Sequence, residues 1–217
     1  MTDLAIIIAS PRKYFHLVNA LKRYGVKFIS LMPGDEIPRS IKVVITDNKS
    51  FTTKPDLAVV HLGEDYERAV FEAMCALRGR ENFDMLIIGV DPGATHGLAA
   101  LADGQPVLLR TFRSISSLIK CIERLIATFP AKTKVIRVGR GAGEWTKKVV
   151  EKLESLNAIF CVKIELVSEH LPPPPWIKEY SLPDDVKSAL SIALAKSAGS
   201  ILRGDGSENE ASKVENS

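Results

Sequence analysis

Disulfide chemistry is the first thing this sequence lacks. It has three cysteines in 217 residues, Cys75, Cys121 and Cys161. The number is odd and the spacings are long, which excludes both a disulfide framework and a zinc site and fits a reducing compartment; the expected location is the cytoplasm. No apolar run approaches the roughly 18–20 residues of a membrane span. The longest of note is Leu4–Ala9, and Asp3 stands where a secretory signal would be basic, so neither a membrane span nor a signal peptide is expected. No repeat recurs at any period, which excludes a solenoid. Apolar residues at 46% and charged residues at 25% are in globular balance, so wholesale disorder is excluded as well.

A strong net charge is also missing, for the chain carries only +3. The value is a composite. Residues 1–84 hold 12 basic and 11 acidic side chains, residues 85–202 hold 15 and 11, and residues 203–217 hold 2 and 4. The last segment is polar with Val214 as its one larger apolar residue, and is expected to be a disordered tail. The basic surplus lies in the second half, which is compatible with a polyanion partner.

The first 84 residues alternate short strands and helices. Leu4–Ala9 suits a buried strand, and Ser10-Pro11 pairs an N-cap with a proline at the first helical position. The helix that follows carries Tyr14, Leu17, Val18, Leu21 and Tyr24 at helical spacing and stops at Gly25. Strands are predicted at Val26–Met32, Lys42–Thr46 and Leu57–His61, and a helix at Tyr66–Leu77. This is a small parallel, Rossmann-like α/β unit without a glycine fingerprint for phosphate or a catalytic constellation.

The second half has a different order. Met85–Val90 is a strand running into Asp91-Pro92-Gly93, Gly97–Ala102 a second, and Asp103-Gly104 a hairpin turn into Pro106–Phe112. A helix at Ser114–Phe129, a strand at Lys134–Val138, a helix at Glu144–Leu156 and a strand at Phe160–Val167 follow. A long loop containing Pro172–Pro175 leads to a last helix from Asp185 to Leu202.

The sharpest motif is Gly89-Val90-Asp91-Pro92-Gly93-Ala94-Thr95-His96-Gly97-Leu98-Ala99, an acid at the end of an apolar strand followed by a glycine-assisted return. An Asx-type turn is the bland alternative. The segment resembles the first motif of the RNase H-like fold in its RuvC and YqgF branch, where a strand ends G-x-D-x-G and the next begins G-x-A. The resemblance covers residues 85–202. It implies an RNase H-like mixed five-stranded sheet with flanking helices, preceded by the small parallel α/β domain of residues 1–84. It further implies that Asp91 binds divalent metal. Such nucleases gather carboxylates around two ions, one preparing the attacking water and one stabilising the leaving oxygen. Oxygen ligands suit Mg²⁺ or Mn²⁺.

RuvC-like proteins start their last helix with an aspartate followed by small and aliphatic residues. Asp185 in Asp184-Asp185-Val186-Lys187-Ser188-Ala189-Leu190 aligns with it, helix capping being the alternative. RuvC carries a glutamate at the end of the fourth strand, where this chain has Arg137 and Arg140. YqgF-like proteins place an acid after the fifth strand, where Glu169 stands here, either a ligand or an exposed loop residue. Glu144 is a poorer substitute.

Arg137, Arg140, Lys147 and Lys148 cluster at one strand–helix junction, as phosphate contacts or as a solvated face. His96 and His170 are metal or proton-transfer candidates or incidental loop residues. Trp176 and Tyr180 stack on bases or pack, with packing favoured for Trp176, and Trp145 is read as core with Val149, Leu153 and Leu156.

The expected function is a metal-dependent nuclease acting on structured DNA or RNA, with Asp91, Glu169 and Asp185 as ligands. A homodimer is one assembly the resemblance allows, although no dimer helix can be singled out. One alternative is a catalytically degraded nucleic-acid-binding or scaffolding module. The other is an actin-like ATP-binding protein, since Asp91–Thr95 also resembles that fold's first phosphate loop; the missing second lobe and second loop stand against it.

Overall fold

The computed structural model describes residues 2–52, 56–141, 143–160, 162–167, 181–195 and 201–202. Two sheets organise them. The first comprises β1 (Leu4–Ile7), β2 (Ile29–Ser30), β3 (Val43–Thr46) and β4 (Ala58–His61), all parallel in the order β2-β1-β3-β4, with helices α1 (Pro11–Arg23) and α2 (Tyr66–Ala76). Every residue of β1 and β3 is buried, as continuous apolar runs in a parallel sheet covered on both faces should be. Ser10 caps α1 through the Lys13 amide, Pro11 follows it, and Gly25 ends the turn at φ 63°. Strand β2 is only two residues, shorter than the predicted Val26–Met32.

The second sheet comprises β5 (Phe83–Asp91), β6 (His96–Ala102), β7 (Gln105–Phe112), β8 (Ala131–Gly139), β9 (Lys163–Val167) and β10 (Ile201–Leu202), in the order β10-β9-β8-β5-β6-β7. Strands β5, β6 and β7 form an antiparallel meander, β8 and β9 run parallel to β5, and β10 is antiparallel to β9. Asp103 and Gly104 both take positive φ, 47° and 80°, as the two-residue hairpin between β6 and β7 requires. Helices α3 (Ile115–Thr128) and α4 (Glu144–Phe160) cover one face, where Leu118, Ile122, Leu125, Val149 and Leu153 join the core. Helix α5 (Asp184–Leu194) lies on the other face, packing Ala189, Leu190 and Ala193 on Ala99 and Leu101. The five strands from β5 to β9, with the first in the centre and the meander to one side, have the RNase H-like arrangement.

Further boundaries differ from the sequence expectation, β5 beginning at Phe83 and β8 at Ala131. Helix α4 continues through Phe160, so the next strand begins at Lys163. The last helix ends at Leu194 rather than Leu202, because Ala195 leaves helical geometry at φ −57°, ψ 144°. Residues 201–202 instead add a short sixth strand beyond β9. The predicted tail, 203–217, lies outside the described residues.

The two sheets share apolar contacts. Phe129 at the end of α3 has its ring 4.8 Å from Phe71 of α2 and 5.2 Å from Phe83 of β5. Above them Arg124 of α3 pairs with Asp65 and Glu67 at the start of α2. Among the described residues no helix is long and apolar enough to cross a membrane.

Candidate active site

The carboxyl ends of β5, β8 and β9 form one edge, with Asp91, Gly139 and Val167 as their last residues. Asp91 is half-buried there, paired across the ladder with Gly97 of β6. Gly97 is the residue on which α5 rests. A Cβ at this position would fall on the backbone carbonyl of Asp185 and lie 3.2 Å from Ala189 Cβ. Gly89, two residues before Asp91 on the same face, is covered equally closely: a Cβ there would meet the Ala189 carbonyl and lie 2.7 Å from Ala193 Cβ. Two missing side chains therefore let α5 lie directly on the sheet, and its first turn arrives beside the end of β5.

The adjacent aspartates separate in this setting. Asp184 is exposed and pairs with Lys187 at 2.9 Å, which holds its carboxyl below the usual carboxylate range. Asp185 is half-buried against the sheet. Helix α5 has Pro183 before it and no side-chain cap, so neither aspartate serves as its N-cap. Glu169, the third predicted ligand, lies outside the described residues, as do His170, Pro172–Pro175, Trp176 and Tyr180. Among the described residues no group of three or more His, Cys, Asp or Glu side chains is placed to hold a metal ion. Asp91 and Asp185 are hard oxygen donors, the kind Mg²⁺ and Mn²⁺ take, and one or two carboxylates suffice for a magnesium ion that keeps its waters or binds a substrate phosphate.

Beneath the Asp91–Thr95 turn, His96 is 1% exposed and accepts the Gly93 amide on Nδ1 at 3.4 Å. Burial pushes its pKa down, with Asp185 acting in the opposite direction. The indole of Trp145 meets the imidazole edge to face at 5.6 Å. Trp145 was expected in the core but is 44% exposed, because it stands in the first turn of α4, beyond the sheet edge under which Val149 and Leu153 are buried.

The basic cluster divides in two. Arg140, Lys147 and Lys148 are exposed around the start of α4; Lys148 pairs with Glu144 at 2.6 Å and lies 5.7 Å over the Trp145 ring. Lys148 also holds the Glu144 carboxyl below its usual range. Arg137 departs from the expectation of a phosphate contact. Its side chain is largely buried beneath α5, where Nε bonds Glu165 of β9 at 2.8 Å and Nη1 bonds the carbonyls of Ala193 and Ala195 at 2.7 and 2.6 Å. Strand β8 alternates its side chains between faces, and the register Gly89↔Arg137↔Glu165 puts this residue under the helix instead of at the open edge.

Glu165 was missed by the sequence reading. The signal was an acid inside the apolar strand Lys163–Val167, opposite an arginine in the neighbouring strand. Asp47 was missed too: it follows β3 and accepts the Ala9 and Ser10 amides at 3.0 and 3.2 Å, filling the start of α1.

The strand order thus defines an RNase H-like sheet with an acid at its carboxyl edge. Residues 4–77 match the model of a response regulator receiver-like domain. No curated protein matches the chain. Among solved structures, RuvC of Thermus thermophilus is similar at 14% identity and TM-score 0.41, over 51% of this chain and 92% of that one. An Argonaute, Aa-Ago with externally bound siRNA, is similar at 10% identity and TM-score 0.27, over 75% of this chain and 34% of that one.

Proposed function

We propose that the second sheet carries a divalent-metal-dependent nuclease site of the RuvC/YqgF kind, acting on structured DNA or RNA. The observation that carries the reading is the seating of α5 on Gly89 and Gly97, which brings the turn of Asp185 to the ladder partner of Asp91. Asp91 and Asp185, from elements about ninety residues apart, belong to the end of β5 and to the first turn of the helix seated on its ladder partner, at the carboxyl edge where open α/β sheets take their ligands. With Glu169 they would hold Mg²⁺ or Mn²⁺, and the metal would supply activation of water and charge stabilisation at phosphorus. Arg140, Lys147 and Lys148 are the phosphate contacts of this reading, which is sequence-independent and screened by salt.

Cleavage of branched DNA, linear DNA and structured RNA with Mn²⁺, wild type beside Asp91→Asn, tests the assignment. Cutting that the substitution abolishes is the expected result; cutting equal in both proteins removes Asp91 from the chemistry.

A second reading has its own observation: the fourth strand presents Arg137, tied to Glu165, where the catalytic pattern has an acid. This favours a module that binds nucleic acid without cutting it. Retained binding with no cleavage of any substrate by the wild type would select that reading. A thermal shift with ATP–Mg²⁺ but none with nucleic acid would select the ATP-binding alternative.

A further inference from the structure

Helix α5 is short and meets the sheet through small residues, yet it has to be held in a defined place if Asp185 is to act with Asp91. Its amino end has no side-chain cap. At its other end the carbonyls of Ala193 and Ala195 would be left without helical partners, and both accept from one nitrogen of Arg137. The guanidinium is held in turn. Nε is bonded to Glu165, whose side chain is 3% exposed and whose other oxygen takes Lys163 Nζ at 2.6 Å. Arg137 sits directly across the ladder from Gly89, the deeper of the two positions where α5 touches backbone.

We propose that Arg137 is a positioning residue of the nuclease site, a clamp that fixes α5 so that Asp185 stands beside Asp91; this rests on the nuclease reading given above. The clamp needs a planar, three-way donor. A fixed fork can satisfy a carboxylate on one side and two carbonyls on the other, whereas a lysine at this place is a single point charge. The arrangement also accounts for a basic residue in the fourth strand, where the catalytic pattern places an acid. The cation serves the helix rather than the substrate.

Two readouts test this on the full chain. Hydrogen exchange of the α5 amides follows the seat itself, and Mn²⁺ binding followed by electron paramagnetic resonance follows the site. Arg137→Met takes from the buried Glu165 carboxylate one of its cationic partners and leaves it Lys163, so Arg137→Met/Glu165→Gln accompanies it and keeps the test usable if the single variant fails to fold. Arg137→Lys asks for the fork. Leu17→Ala, in α1 of the other sheet, controls for loss of stability alone.

Exchange of α5 should quicken about ten- to hundredfold in the double variant and in Arg137→Lys. Mn²⁺ affinity should fall with it, and Leu17→Ala should move neither readout selectively. Unchanged α5 exchange in the double variant overturns the clamp. Faster exchange with unaltered Mn²⁺ binding, in a protein whose binding Asp91→Asn abolishes, overturns the positioning role. If the wild type binds no Mn²⁺, the nuclease reading and the positioning role fall together, while the exchange result still decides whether Arg137 holds the helix.

Discussion

A histidine wedged between an indole and the turn it supports has little room for a second proton. His96 accepts the Gly93 amide on Nδ1, and a proton there would break that bond. Its folded pKa is lowered by burial, so the unfolded chain takes up the proton first. Stability from this residue is therefore full above about pH 6.5 and is lost as the pH falls from there through the lowered folded value. Denaturant unfolding of the wild type and of His96→Gln at about pH 7.5 and about pH 5 should show the two proteins converging in acid. A constant difference between them would rule the mechanism out. At the same edge, the proposed nuclease site predicts that Asp185→Asn abolishes any Mn²⁺-dependent cleavage and that Asp184→Asn, altering an exposed side chain paired with Lys187, leaves it intact. Equal loss in both would mean that the first turn of α5 acts only through its total charge.

At the scale of the element, the decisive contact is between a helix and two bare strand positions. Gly97→Ala or Gly89→Ala drives a methyl into the α5 backbone, and displacement of the helix should cost about 1–3 kcal/mol in urea unfolding. If the proposed nuclease site is right, cleavage should fall more steeply than stability, since Asp185 travels with the helix. An alanine variant with wild-type stability and activity would show that α5 does not lie this close.

The elements themselves were mostly legible. Leu4–Ile7, Ser10-Pro11 and Asp103-Gly104 signal through local chemistry, in burial, capping and turn formation, and the structure obeys each. What was not legible depended on distant partners. Arg137 reads as one of four surface cations until α5 returns more than fifty residues later. Helix α5 ends at Leu194, and the carbonyls of Ala193 and Ala195 that its end leaves open are taken by that arginine. Trp145 has the spacing of a core residue and falls just past the edge of the sheet that would cover it. Asp91 and Asp185 are singled out by motif and resemblance, and no periodicity in the chain shows that α5 rests on the strand beside the end of β5.

For the whole molecule, α2 closes the elements of the first sheet at Ala76 and β5 opens the second at Phe83, yet the two sheets share apolar contacts. Phe71, Phe83 and Phe129 form one buried aromatic group, to which Tyr24 adds its ring at 4.7 Å from Phe71. Unfolding should accordingly be a single transition, with circular dichroism coinciding with the fluorescence of Trp145 and Trp176, both in the second half. Phe129→Ala should destabilise the protein by about 3–5 kcal/mol. Two resolved transitions in the wild type would mean that the halves fold independently.

The carboxylate of Asp47 has one more implication. It lies where β1 and β3 part, the switch point at which a doubly wound sheet leaves its crevice and the amides of a helix start facing outward. A phosphate arriving there meets a resident anion instead of bare N–H groups. The first sheet has, in effect, swallowed its own counterion, and the amides that would greet an outside anion are already spoken for.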